Sequence, residues 1–221
     1  ISLYMPLGVA LIFGGLVAAL IAFVIGTPVL RLRGDYLAIA TLGFSEIIRI
    51  VITNASSITN GALGIKSIPP LNDVRIIFLI TLITFIFITL LINSSYGRAF
   101  KAIREDEIAA EAMGINLFFH KNLAFMISAF FAGIGGGLYG ALLGTVDPKN
   151  FLFTLTYNFL LIIVLGGMGS ITGSMLGSII VTGGLEYLRV FDEPLEIMGV
   201  AIPLFRPGFR MVMFSILLMV F

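Results

Sequence analysis

The sequence predicts an all-α fold, a polytopic transmembrane helical bundle, and three observations carry that reading. Of its 221 residues, 59% are hydrophobic and only 11% are charged; a soluble globular domain carries roughly 45–50% apolar and about 25% charged residues. The mean hydropathy is +1.12. Uncharged runs of bilayer-spanning length recur along the chain. Such a chain cannot cover itself with polar surface, so its solvent is lipid, and its spans must close their backbone hydrogen bonds internally.

Composition also excludes chemistry. A formal net charge of +1 offers no basic patch, so nucleic acid is not an expected partner. With no cysteine and a single histidine, His120, there is no disulfide framework, no thiol nucleophile and no zinc cluster. No metal or cofactor is expected, and no catalytic residue.

The spans follow in order. Leu7 to Leu30 is twenty-four residues without a charge, about 36 Å of helix. Tyr36 to Ile52 is a second span, although it contains Glu46 and Arg49. Ile76 to Ile92 and Asn122 to Val146 are clean runs. From Asn150 to Leu185 the uncharged stretch is long enough for two passes, but Gly166-Gly167-Met168-Gly169-Ser170 interrupts it. Each half then spans about 22 Å, short for a straight crossing. The halves are either short spanning helices or re-entrant pieces enclosed by protein. Apolar sequence begins almost at once with no basic region and no small-residue cleavage site, so the start does not read as a signal peptide. The last apolar run, from Met211 to Phe221, covers only about half of a hydrocarbon core. These ends read as those of a fragment.

Between the spans, Arg31, Arg33, Arg98, Lys101, Arg104 and Lys121 fall on one side. Lys66, Arg75, Lys149, Arg189, Arg206 and Arg210 fall on the other, a tie. The compact cluster near span ends assigns the first set to the cytoplasm. Tyr96 to Asn116 is the one substantial aqueous segment, holding seven charged residues between Arg98 and Glu111. Lys101 with Glu105 and Arg104 with Glu107 stand at helical spacings and support a short helix there. Phe100 and Ile103 share a face, an apolar stripe suited to a partner.

Three motifs bring a family into view. Arg31-Leu32-Arg33-Gly34-Asp35-Tyr36-Leu37-Ala38-Ile39-Ala40-Thr41-Leu42-Gly43-Phe44 closely resembles a run found in bacterial branched-chain amino acid ABC importer permeases. So do the segment from Tyr96-Gly97-Arg98 through Met113-Gly114-Ile115-Asn116 and the run Leu165-Gly166-Gly167-Met168-Gly169-Ser170-Ile171-Thr172-Gly173. All three look like the M-type permease of the Liv system rather than its H-type partner, and the likeness covers nearly the whole chain. The resemblance implies a single permease domain over residues 1–221, lacking the N-terminal spans and cytoplasmic tail of family members. It implies residence in the cytoplasmic membrane of a bacterium or archaeon. Its expected partners are two ABC ATPase subunits, an H-type permease subunit, an extracytoplasmic substrate-binding protein and the lipid bilayer. ATP hydrolysis would belong to those separate ATPases, and leucine, isoleucine and valine would be the cargo. Related importers of urea, amides or aromatic acids share these motifs. An ion-coupled secondary transporter is a rival of another class, with only Glu46 and Arg49 available for coupling.

The same resemblance makes 96–116 a coupling segment that docks in a groove of the ATPase. The general pattern there is Glu-Ala-Ala, three residues, then Gly. Ala109, Ala110 and Gly114 fit it, whereas Ile108 stands at the glutamate position and Glu107 lies one place earlier. Small residues at Ala109 and Ala110 permit close approach, Gly114 suits a helix end, and Arg98, Ile103, Arg104 and Glu107 would flank the contact.

Within the membrane, Glu46 and Arg49 stand three apart on one helix face. A charge at a helix centre costs ~2.5–3.5 kcal/mol on insertion scales. The two should therefore face protein and each other, either as a structural pair or lining the translocation path. Glycines at four-residue spacing, such as Gly133 with Gly137 and Gly169 with Gly173, predict close helix crossing. Clustered Gly166, Gly167, Gly169 and Ser170 break a helix and free backbone groups that could meet a substrate. Gly64-Ile65-Lys66-Ser67 has the wrong order for a phosphate-binding loop, and no strand precedes Gly167-Met168-Gly169, as a dinucleotide fingerprint requires.

Overall fold

The structure is a computed structural model that describes residues 6–32, 34–66, 68–69, 71, 73–188, 196–197 and 200–201. Arg33, Arg189, Arg206, Arg210 and the run from Met211 lie outside the described residues. The chain divides into two compact units, Ile1–Phe153 and Thr154–Phe221.

Among the described residues of the first unit, four helices are long and apolar enough to cross a membrane. They are α1 (Leu7–Val29), α2 (Asp35–Asn54), α4 (Val74–Asn93) and α7 (Leu117–Leu143). Between α2 and α4 lie a single turn, α3 (Ser56–Thr59), and a 3-10 turn at Gly61–Leu63. Between α4 and α7 lie α5 (Ser95–Glu105) and α6 (Glu107–Ala112). The spans read from the sequence are all helices, with ends within a few residues of expectation. Hydroxyls inside them are satisfied locally: Thr27, Thr81 and Thr89 each donate to the carbonyl four residues back, at 2.8 Å. Each of these three hydroxyls is thereby kept from facing lipid as a bare donor.

The core of this unit is the antiparallel pairing of α1 with α7, and glycine makes it possible. A Cβ placed on Gly133 would come within 2.8 Å of the Ala18 methyl and 3.0 Å of the Gly14 carbonyl. On Gly15 it would meet Phe130 at 2.9 Å, and on Gly137 it would meet Leu11 at 2.6 Å. At the other end of the pair, Gly26 faces Asn122 and Phe125, both 2.9 Å from such a Cβ. With no hydrophobic drive between helices in lipid, this backbone proximity supplies the attraction through dispersion contacts. α2 and α4 bury no residue at all. Their apolar sides belong to the membrane or to other protein.

Side-chain caps set the starts of α4, α5 and α7. Asp73 accepts from the Arg75 N–H at 3.1 Å and opens α4. Ser94 starts α5 through the Gly97 N–H, and Asn116 Oδ1 starts α7 by accepting from the Phe119 N–H at 3.0 Å. Each satisfies a donor that the first helical turn leaves unpaired.

The second unit contains α8 (Phe153–Gly166) and α9 (Ile171–Leu188), followed by two-residue strands β1 (Glu196–Ile197) and β2 (Val200–Ala201), paired antiparallel. The break foreseen at Gly166–Ser170 is present. Gly167 and Gly169 adopt φ of 87° and 91°, a left-handed backbone that costs glycine little. Ser170 Oγ then caps α9 by accepting from the Gly173 N–H at 3.0 Å. α8 returns onto α9 so closely that a Cβ on Gly166 or Gly173 would collide with the opposite backbone. A Cβ on Gly177 would lie 2.8 Å from the Ile162 carbonyl. The glycine spacing is therefore a packing device in this unit too.

Candidate functional site: a helical strap at one end and an arginine-lined cavity at the other

α5 and α6 lie at the end of the first unit where α1 finishes and α7 begins. Asp106 separates them: it is extended (φ −154°, ψ 114°), and its Oδ1 accepts from the N–H groups of Ile108 and Ala109 at 2.8 and 3.1 Å. α6 ends in a Schellman motif. Gly114, at φ +82°, donates to the Glu111 carbonyl at 2.9 Å, and Ile115 donates to the Ala110 carbonyl at 3.1 Å. A side chain at Gly114 would strain that left-handed turn.

The break at Asp106 changes the ion pairing read from spacing. Arg104 and Glu107 fall on separate helices, so the i,i+3 pair does not form. Arg104 pairs with its neighbour Glu105, and Glu107 instead accepts from Lys121 Nζ at 2.6 Å. Lys101 and Glu105 are likewise not paired among the described residues. Beside that link, the Arg31 guanidinium lies 5.6 Å over the Phe118 ring, a cation–π contact tying the end of α1 to α7.

The apolar stripe also turns the other way. Ile103 is buried, and Phe100 lines a groove with Leu91, Ile92 and Ala124 and meets the His120 ring edge-on at 6.2 Å. These residues fasten α5 to α4 and α7 because the turn at Ser94 folds α5 back on them. Ala110 is only 3% exposed and points inward as well. Arg98, Arg104, Ala109 and Gly114 remain exposed. Sequence reasoning passed over the two large apolar side chains that face out: Ile108, 76% exposed, and Met113, 83% exposed. Their signal was present, since both are apolar residues set among charges.

At the opposite end, the loop after α2 is pinned to the end of α7. Ile65 and Val146 exchange two backbone hydrogen bonds of 2.9 Å, and Ile68 donates to the Gly144 carbonyl at 3.0 Å. Beneath this cap lies a cavity of about 500 Å³. Among the described residues Arg49 is its only charged lining residue, beside Ile48, Ile52, Ile65, Val146 and Phe151. Arg49 pairs with Glu46, its Nε lying 3.0 Å from both carboxylate oxygens and its Nη2 bonding Oε1. The pair is partly shielded, Arg49 being 25% and Glu46 41% exposed in their side chains. The structure thus joins Glu46 to Arg49 as the spacing required. It puts Gly166, Gly167, Gly169 and Ser170 in the other unit, at the α8–α9 turn. Among the described residues, no three His, Cys, Asp or Glu side chains come together as a metal site would need.

Four membrane-length helices, a two-helix strap across one end and a capped, singly charged cavity at the other define a multi-pass α-helical membrane protein. Residues 1–221 match the family model described as a branched-chain amino acid transport system permease component, and the chain belongs to that family. It is 39% identical over 213 residues to the high-affinity branched-chain amino acid transport system permease protein LivM of Escherichia coli K12, covering 81% of this chain and 50% of the relative. It is 29% identical over 184 residues to the probable LivM permease of Methanocaldococcus jannaschii, covering 76% and 53%. Likeness to the LivH permease of Salmonella typhimurium is 35% over 106 residues, covering 48% and 34%. The chain therefore spans about half the length of the LivM relatives it matches. No solved structure matches it.

Proposed function

We propose that this chain is the membrane-spanning part of an LivM-type permease subunit, in an ATP-driven importer of leucine, isoleucine and valine. It works in the cytoplasmic membrane of a bacterium or archaeon with an H-type permease, two ATPase subunits and an extracytoplasmic binding protein. The observation that carries this reading, beside family membership, is the α5–α6 strap. Exposed Ile108 and Met113 sit on a charged, capped surface braced against two spans, which suits a helix that passes force to a partner. ATP is hydrolysed in the partner subunits. Transport is alternating access, with the strap on the cytoplasmic side and the loop from Asn54 to Asn72 facing the binding protein.

The test is assembly followed by uptake. The full-length permease, expressed with the products of its neighbouring genes, should bring down an ATPase. Reconstituted with the binding protein, it should import labelled leucine only when ATP is supplied. Recovery of the permease without an ATPase, or uptake driven by an ion gradient alone, overturns the proposal.

A further inference from the structure

The geometry points to the cavity under the Ile65–Val146 cap as a binding site for the zwitterionic head and aliphatic side chain of an α-amino acid, with Arg49 receiving the carboxylate. This inference rests on the proposed transport reading and assigns it a place in the chain.

The argument begins with charge. Arg49 offers five N–H donors, and its bonds to Glu46 use only Nε and Nη2. Nη1 has no partner among the described residues. A guanidinium edge is well matched to a carboxylate. Arg49 and Glu46 together are neutral, and net charge inside a membrane protein is costly. The ligand that suits the site is therefore itself neutral overall, which an amino acid zwitterion is and a simple anion is not. The hydroxyl oxygens of Ser45 and Thr59, which also line the cavity, can accept from the ammonium.

Shape and lining agree. A volume of about 500 Å³ falls in the range of sites for small molecules, roughly 300–1,000 Å³. Beyond Arg49 the walls are mostly Ile48, Ile52, Ile65, Val146 and Phe151, with the hydroxyls of Ser45 and Thr59 as the other polar lining side chains, which gives an aliphatic side chain broad apolar contact. The cap itself is tightly built: a Cβ on Gly64 would collide with the Val146 carbonyl. The cavity roof is thus a fixed feature of the fold. It also lies at the end of the unit that the proposed orientation turns outward, where cargo arrives.

Site-directed alkylation tests this directly. The 221 residues contain no cysteine, so Ile65→Cys in the cavity and Lys66→Cys beside it, on the exposed surface, each place a single thiol in this part of the full-length permease, with any cysteine elsewhere in the complex replaced by serine. L-leucine should slow maleimide labelling of Ile65→Cys and leave Lys66→Cys unchanged. L-leucinamide, which lacks the carboxylate and carries a net positive charge, should not protect. Arg49→Gln should raise the leucine needed for protection about tenfold or more, the effect of one charged hydrogen bond. Should Arg49→Gln assemble poorly, the leucine and leucinamide comparison on Ile65→Cys decides the matter alone. Equal protection by both compounds, or protection by neither, overturns the site. ATP-driven leucine uptake by the same complex separates the two claims: uptake without protection removes the site and leaves the transport reading, whereas protection without uptake does the reverse.

Discussion

Lys121, in the first turns of α7, donates its ammonium to Glu107 of α6 at 2.6 Å across fourteen residues of chain. The bond fixes the strap to a helix that runs the depth of the first unit, so a push on α6 is felt by α7. Both side chains are partly exposed, which keeps the contribution near the ~0.5–1 kcal/mol of surface pairs. Lys121→Gln should therefore speed amide hydrogen exchange across Glu107–Ala112 roughly two- to fivefold while leaving the spans protected. Joint exchange to Lys121→Glu and Glu107→Lys should restore much of that protection. Unchanged exchange in the single variant would show that the link does not hold the strap.

The Glu46–Arg49 pair gives a second expectation. Glu46→Gln leaves a guanidinium without its counter-charge in a membrane helix, at a cost on the order of 2–3 kcal/mol. Yield of monodisperse protein in detergent should fall, and Glu46→Gln with Arg49→Gln should recover part of it. Normal yield from the single variant together with lost uptake would mean the pair matters for passage rather than folding.

The α1–α7 contact can be probed by volume. Gly133→Leu forces a side chain against Ala18 and Gly14, and overpacking of this kind typically costs ~1–3 kcal/mol. Gly135→Ala is the control, since nothing lies within 4 Å of a Cβ there. A lower thermal midpoint is expected for Gly133→Leu and none for Gly135→Ala. Equal midpoints would contradict the close packing.

For the strap's outer face, Ile108→Glu and Met113→Glu should each reduce ATPase co-purification while leaving insertion and detergent stability intact. Ala110→Trp is a less selective probe, because Ala110 is buried in its own chain and should lose stability as well. Retention of the ATPase by both glutamate variants would move the docking surface elsewhere.

Orientation has its own measurement. Asn116→Cys should react with a membrane-impermeant maleimide only after lysis, and Lys66→Cys should react in intact cells once any outer barrier is permeabilised. The reverse pattern would invert the chain and remove the ATPase from the strap.

What the sequence made legible was whatever is decided within one helix. Uncharged runs marked α1, α4 and α7, an apolar run holding only Glu46 and Arg49 marked α2, the glycine cluster marked the α8–α9 turn, and Gly114 marked the end of α6. Spacing also paired Glu46 with Arg49, because three residues along a helix fix their distance. The failures involve choices between neighbours in space. The periodicity that puts Phe100 and Ile103 on one face does not say whether that face looks inward, and the turn at Ser94 settled that it does. Spacing matched Arg104 to Glu107 on the premise of one continuous helix, which the extended Asp106 interrupts. Lys121 lies fourteen residues from its partner, and the cavity takes its wall from Arg49, Ile65 and Val146, segments separated by most of the unit. No local pattern records those meetings.

The pairing of α1 with α7 bears on how such a protein is made. α1 leaves the ribosome before α7, and the helix it packs against begins about ninety residues later. At the usual pace of synthesis, α1 waits roughly 5–20 seconds for its partner. During that interval Leu11, Gly15, Ala22 and Gly26, buried in the finished unit, wait without α7 against them. α2 and α4 enter in the meantime and bury nothing. The insertion machinery, or another subunit close by, therefore has a window in which the growing chain is an open bundle whose closing helix has not yet been born.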